Sequence, residues 1–191
     1  MISEKLLNKQ KAIKVSNLIP NEFCQFFTHV LLRQSDEQIK GDEQIPNAKA
    51  ILSHHLIFDT LLEHLWPLME EIVGEELLPT YSYARLYSNG DILEKHTDRP
   101  ACEVSVTIQL GRSHEYSWPI CMGNQKFELN VGDGVIYSGC DVPHWRNICN
   151  GPDGYYSGQV FLHYVRKNGS FIENAGDAII RRSPTFIKNR I

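Results

Sequence analysis

Apolar positions in the first third of the chain repeat with the period of a helix. After Pro20, the residues Phe23, Phe26, Phe27, Val30 and Leu31 fall at i, i+3, i+4, i+7 and i+8, one stripe of an amphipathic helix. Residues 35–47 are polar and include Gly41 and Pro46, which reads as a loop. The helical period returns at Leu61, Leu62, Leu65, Met69, Ile72 and Val73. Pro67 is expected to kink or restart this helix and Gly74 to stop it.

From Leu78 the period changes to two. Tyr81, Tyr83, Arg85 and Tyr87 alternate with Ser82, Ala84 and Leu86, a strand that ends in the turn Ser88-Asn89-Gly90-Asp91. Val104, Val106, Ile108 and Leu110 alternate with Ser105, Thr107 and Gln109, the cleanest strand pattern in the chain. Shorter strands are expected near 116–120, 126–131, 135–137, 144–147 and 158–165, separated by Gly123-Asn124 and Gly132-Asp133-Gly134 turns. Helices followed by a run of short strands predict an α+β, mainly β chain: supporting helices over 1–77, a sandwich or jelly-roll core over 78–166, and a tail over 167–191. The tail has no clear period and ends in charge (Arg181, Arg182, Lys188, Arg190). No repeat or linker divides the 191 residues, so one domain is expected.

Composition narrows the partners without naming the chemistry. Nineteen basic residues against 23 acidic leave a net charge of −4, which argues against a dedicated nucleic-acid or anionic-membrane surface. No apolar run is long enough to cross a bilayer and the first residues do not form a secretory signal. The five cysteines are odd in number and none are spaced as CxxC, which suits reduced thiols in a cytoplasmic setting.

The eight histidines offer the candidate chemistry. His96-Thr97-Asp98 lies after a strand and turn, and His144 follows 46 residues after Asp98. In extended chain, residues two apart point to the same side, so His96 and Asp98 can reach one ion. His144 is expected to close the triad from a distant strand, across the interior of the barrel. Two neutral imidazoles and one carboxylate on one face of a metal suit a non-haem Fe(II) site. The same residues also suit a solvated turn and a surface histidine, and spacing leaves both readings open.

Longer stretches add a resemblance. The run YARLYSNGDILEKHTDRP, the strand EVSVTIQLG, then GDGVIYSGCDVPHWRN and GQVFLHYV are similar to the iron(II)/2-oxoglutarate-dependent oxygenases, and most to their prolyl-4-hydroxylase-like branch. The match spans about residues 78 to 166. It implies a double-stranded β-helix with N-terminal supporting helices, and Fe(II) held by His96, Asp98 and His144. It further implies 2-oxoglutarate as co-substrate, O₂ as oxidant, and release of succinate and CO₂ as an unactivated C–H bond is hydroxylated. The aspartate ligand fits hydroxylation, since relatives that halogenate usually leave that position empty. The implied substrate is a protein prolyl or other side chain, or a small metabolite.

The chain departs from the family pattern at one point. The usual cation for the distal carboxylate of 2-oxoglutarate lies about 9 to 11 residues past the second histidine, where this chain has Asp153, Gly154 and Tyr155. Either the loop is lengthened, with no basic residue on the last strand before Arg166, or Arg146 takes the role from the side of its strand that His144 shares. Arg85 is the second choice, and Tyr87 sits where relatives place a tyrosine that touches the co-substrate. Ser105, Thr107 and Gln109 either line the cavity or face water, and Trp118 and Trp145 either wall the site or pack in the core. His163 is expected to be a satisfied core histidine, while His29, His54, His55, His64 and His114 have no partner spacing. The missing cation also suits a cupin-type metal enzyme that does not use 2-oxoglutarate, or a non-enzymatic binding domain on the same fold.

Overall fold

The computed structural model describes residue 7 and residues 10–36, 44–46 and 48–176. Among them are two helices and ten strands: β1 Ala12–Val15, α1 Asn21–Asp36, β2 Ala50–Ser53, α2 Leu56–Val73, β3 Leu77–Ser88, β4 Leu93–His96, β5 Val104–Arg112, β6 Ile120–Met122, β7 Gln125–Phe127, β8 Gly134–Ser138, β9 His144–Arg146 and β10 Tyr156–Arg166. The basic residues of the expected tail, Arg181 to Arg190, lie outside the described residues, as do 37–43 and 47 of the expected loop.

The strands form two antiparallel sheets, a major one in the order β1-β8-β5-β10-β3-β2 and a minor one in the order β4-β9-β6-β7. Strand alternation gives the major sheet two different faces. On one, Ala84, Leu86, Val104, Val106, Ile108, Val160 and Leu162 pack against both helices in a continuous apolar core. The other face turns inward between the sheets and is polar and aromatic. Its rungs are fixed by register: Tyr83 opposite Phe161, Arg85 opposite Gln159, Gln159 opposite Gln109, and His163 opposite Ser105. Ser105, Thr107 and Gln109 therefore face the interior, and all three are buried.

The helices hold this arrangement from behind. The stripe Phe58, Leu61, Leu62, Leu65, Trp66, Met69 and Val73 is the buried face of α2. The Trp66 indole donates to the Leu77 carbonyl at 2.7 Å, and Glu70 accepts from the Leu77 N–H at 3.0 Å, which locks the helix end to the start of β3. Pro67 does not restart α2; the helix runs through it as one element. Pro67 sits on the exposed face, where water can take the carbonyl it leaves unpaired, and the apolar stripe opposite outweighs the lost bond. Gly74 ends the helix at φ 75°, its N–H bonded to the Glu70 carbonyl.

The expectation that only helices precede residue 78 is corrected. β1 and β2 form the two edges of the major sheet, pairing with β8 and β3. With four residues each they are too short to show a period, and their pairing is decided by tertiary contact. No two of the five cysteines are bonded to each other. No helix among the described residues is long and apolar enough to cross a membrane.

Candidate metal centre

β4 and β9 are neighbours in the minor sheet, with His96 directly opposite His144. The two histidines are thus adjacent across a strand pair, rather than meeting across the barrel interior as the sequence suggested. Their rings are 4.3 Å apart. Asp98 follows β4 and is tied to the other sheet, its N–H donating to the Gly139 carbonyl at 2.9 Å. Gly139 is required there: a Cβ would sit 2.5 Å from Asp98 Oδ2 and closer still to the Cys102 carbonyl.

The three side chains converge on one point. One ligand atom from each of His96, Asp98 and His144 lies within 4.8 Å of the others. Both Nε2 atoms face the same carboxylate oxygen, at 3.7 Å for His96 and 3.5 Å for His144. Both Nδ1 atoms are engaged behind, with the Glu94 carbonyl at 2.8 Å and the Val142 carbonyl at 2.9 Å. A carbonyl can only accept, so each ring carries its proton on Nδ1 and turns the Nε2 lone pair inward, the tautomer a metal needs. Burial lowers the His96 pKa, favouring the neutral ring.

The second oxygen of Asp98 has its own support. Ser105 donates to Oδ2 at 3.4 Å and is itself 2.8 Å from His163 Nδ1, while the Tyr137 hydroxyl faces both Ser105 and Asp98. Burial pushes the Asp98 carboxyl up, but the hydrogen bond and charge that the surrounding histidines supply when protonated, His144 first, outweigh it and hold the carboxyl below its ordinary value. A second cluster, Asp98, Cys102 and His163, shares the carboxylate. Burial pushes the Cys102 thiol up to about 12 and the His163 ring down to about 4, so this set offers a protonated thiol where the first offers an imidazole.

A cavity of about 330 Å³ opens from the triad between the sheets, with Tyr81, Tyr83, Arg85, Tyr87 and Phe161 in its wall. Arg85 donates to the Tyr87 hydroxyl at 3.0 Å, the Tyr83 hydroxyl at 3.3 Å and Gln44 at 3.2 Å. Arg146 lies behind this wall and is only 1% exposed, so it is not a strand-edge arginine facing water. Its guanidinium stacks over Trp118, 4.9 Å from the ring centre, and donates from Nη1 to the Trp118 carbonyl. Nε and Nη2 have no hydrogen-bond partner among the described residues. Burial lowers the pKa of this guanidinium. Asp153, Gly154 and Tyr155 precede β10, and Arg166 at its far end pairs with Glu75 and Glu103, so neither end of that strand brings a cation to the cavity.

Several site residues had no sequence signal of their own. His163 is a satisfied buried histidine and also part of the cavity wall, together with Tyr81, Cys102, Tyr137 and Arg99. For His163 and Tyr81 the available clue is strand parity with Phe161 and Tyr83. Trp118 is buried against Tyr87, whereas Trp145 is half-buried and stacks with Lys95.

No protein-family model and no curated protein matches the chain. Solved structures do. A prolyl-4-hydroxylase from Pseudomonas putida superposes with a TM-score of 0.64 at 14% identity, over 85% of this chain and 96% of that one. The viral collagen prolyl hydroxylase of Paramecium Bursaria Chlorella virus-1, solved as its 2-oxoglutarate complex, gives 0.62 at 10%, over 83% and 98%. HygX from Streptomyces hygroscopicus, solved with nickel, 2-oxoglutarate and hygromycin B, gives 0.63 at 11%, over 85% and 86%. The fold is thus the double-stranded β-helix shared with prolyl-4-hydroxylases and other 2-oxoglutarate-Fe(II) oxygenases.

Proposed function

We propose that the protein is an Fe(II)- and 2-oxoglutarate-dependent dioxygenase that hydroxylates its substrate and releases succinate and CO₂. The observation that carries this reading is the convergence of two inward-facing Nε2 lone pairs and one carboxylate at the head of a cavity between the sheets. When bound, Fe(II) with 2-oxoglutarate and O₂ supplies an oxidant for an unactivated C–H bond.

The chain's own residues do the rest. His96, Asp98 and His144 hold the metal, with the carbonyls of Glu94 and Val142 fixing ring orientation and Ser105 steering the carboxylate. Arg146 receives the distal carboxylate of 2-oxoglutarate. Its two unpartnered nitrogens, Nε and Nη2, suit a carboxylate, and no acidic side chain among the described residues pairs with it. Tyr87 stands beside it on the cavity wall, and Trp118 keeps water from the pair. Arg85 is the second reading for this role, favoured by its place in the wall itself. A donor set with only two histidines supports this chemistry over a cupin-type site, which typically carries three or four.

The neighbours include a collagen prolyl hydroxylase and a protein solved with hygromycin B bound, and the cavity here is at the lower end of small-molecule pockets. A single peptide side chain or a small metabolite fits that space, and the unpaired thiols support a reducing, cytoplasmic setting where iron stays ferrous. The test is succinate production from 2-oxoglutarate under air with Fe(II). Wild-type protein is expected to produce it, even uncoupled, and His96→Ala and Asp98→Ala to abolish it while circular dichroism stays native. Succinate formation unaffected by either variant overturns the assignment.

A further inference from the structure

We infer that the primary substrate carries an anionic group, a carboxylate or a phosphate, which Arg99 grips at the cavity mouth. The inference rests on the oxygenase reading for the identity of the site, and on Arg99 itself for the charge. Arg99 follows the ligand Asp98 directly and forms part of the cavity wall, with its side chain exposed at the rim. Its guanidinium lies over the Tyr81 ring, 4.6 Å from the centre, and donates from Nε to the Tyr81 hydroxyl at 3.3 Å. Tyr81 is in turn fixed by the Cys102 thiol at 3.1 Å and by stacking on His163.

With Nε committed to Tyr81 and the guanidinium also bonded to the Cys102 side chain, the orientation of the plane is set, and the Nη1/Nη2 edge is left without an oxygen partner among the described residues. Two parallel N–H groups at the end of a guanidinium match the two oxygens of a carboxylate or phosphate. Among the described residues no carboxylate answers this charge from the wall, because Asp98 is the one acidic residue there that lines the cavity and it belongs to the metal.

An anionic substrate gains a bidentate partner on Arg99 at a fixed position next to the metal. The aromatic rings of Tyr81, Tyr83 and Phe161 supply an apolar floor for the body of such a molecule.

The test uses Zn(II)- and 2-oxoglutarate-loaded protein, so that no turnover occurs, with three probes of one shape: phenylacetate, phenylacetamide and phenyl phosphate. Binding is read by ligand-observed NMR titration, and 2-oxoglutarate affinity separately by calorimetry. The expected result is that at least one anion binds tenfold or more tighter than the amide, and that Arg99→Gln brings them within about twofold while 2-oxoglutarate affinity changes less than threefold. Whichever anion binds tighter identifies the group. Binding of both anions no tighter than the amide, or a preference that survives Arg99→Gln, overturns the inference even where 2-oxoglutarate binds. An Arg99-dependent preference in a protein that fails to bind 2-oxoglutarate leaves the anion site standing and removes the oxygenase reading instead.

Discussion

Replacing Arg146 by Met should strengthen the empty protein and disable it at once. The guanidinium is 1% exposed, has no acidic partner among the described residues, and leaves Nε and Nη2 unsatisfied. Each such buried donor costs about 1–3 kcal/mol. Against this, the Met variant gives up one charged hydrogen bond to the Trp118 carbonyl, about 1.5–3 kcal/mol, and a cation–π contact of about 1 kcal/mol. Met fills most of the volume with an unbranched apolar chain. The balance favours the variant by about 1 kcal/mol, which for a domain of this size raises the melting temperature by about 2–4 °C. The same change removes the proposed seat of the distal carboxylate. Losing one partner of a buried ion pair costs about 3–5 kcal/mol, so 2-oxoglutarate affinity should fall at least a hundredfold. Scanning fluorimetry with and without Mn(II) and 2-oxoglutarate reads both effects: a higher melting point alone, and no further rise on adding the co-substrate. A variant melting 5 °C or more below wild type that still binds 2-oxoglutarate within threefold would show Arg146 to be a structural residue, and would move the role to Arg85.

Gly139→Ala should lower Mn(II) affinity by about 10–100-fold, because its Cβ would meet Asp98 Oδ2 at 2.5 Å; calorimetry checks this, and unchanged affinity contradicts it. His163 is held near 4 by burial, against 6.5 unfolded, so its stabilising contribution is complete above pH 6.5 and is lost as pH falls toward 4. The loss amounts to about 3 kcal/mol. Urea unfolding at pH 7, 5.5 and 4.5 should show that slope, and His163→Gln should flatten most of it. His96 is lowered by burial, so protons compete with the metal at this ligand only below its ordinary value of 6.5; Mn(II) affinity should be flat from pH 8 to 7 and weaken below about pH 6.

The elements legible in the sequence are those long enough to repeat. α1, α2, β3, β5 and β10 span two turns or four residues of alternation and more, and their apolar faces announce the core between helices and major sheet. β1, β2 and β4 have four residues each, and nothing local distinguishes them from loop. Within the site, HxD spacing singles out His96 and Asp98, and resemblance links them to His144; their meeting depends on the β4–β9 register, which no single segment encodes. Arg99, Cys102 and Tyr137 join the cavity wall only because the 3₁₀ turn after Asp98 and the end of β8 are brought beside it. Alternation left the sidedness of Ser105, Thr107 and Gln109 open, since a polar strand face suits water and a polar cavity equally. Sheet pairing decides it.

The central claim is tested most directly by adding Fe(II) and 2-oxoglutarate to the protein without oxygen and recording the visible spectrum. The account predicts a weak charge-transfer band that requires both additions, is absent from His96→Ala, and decays on admitting air as succinate appears. Intact, folded protein that shows neither band nor succinate would contradict it.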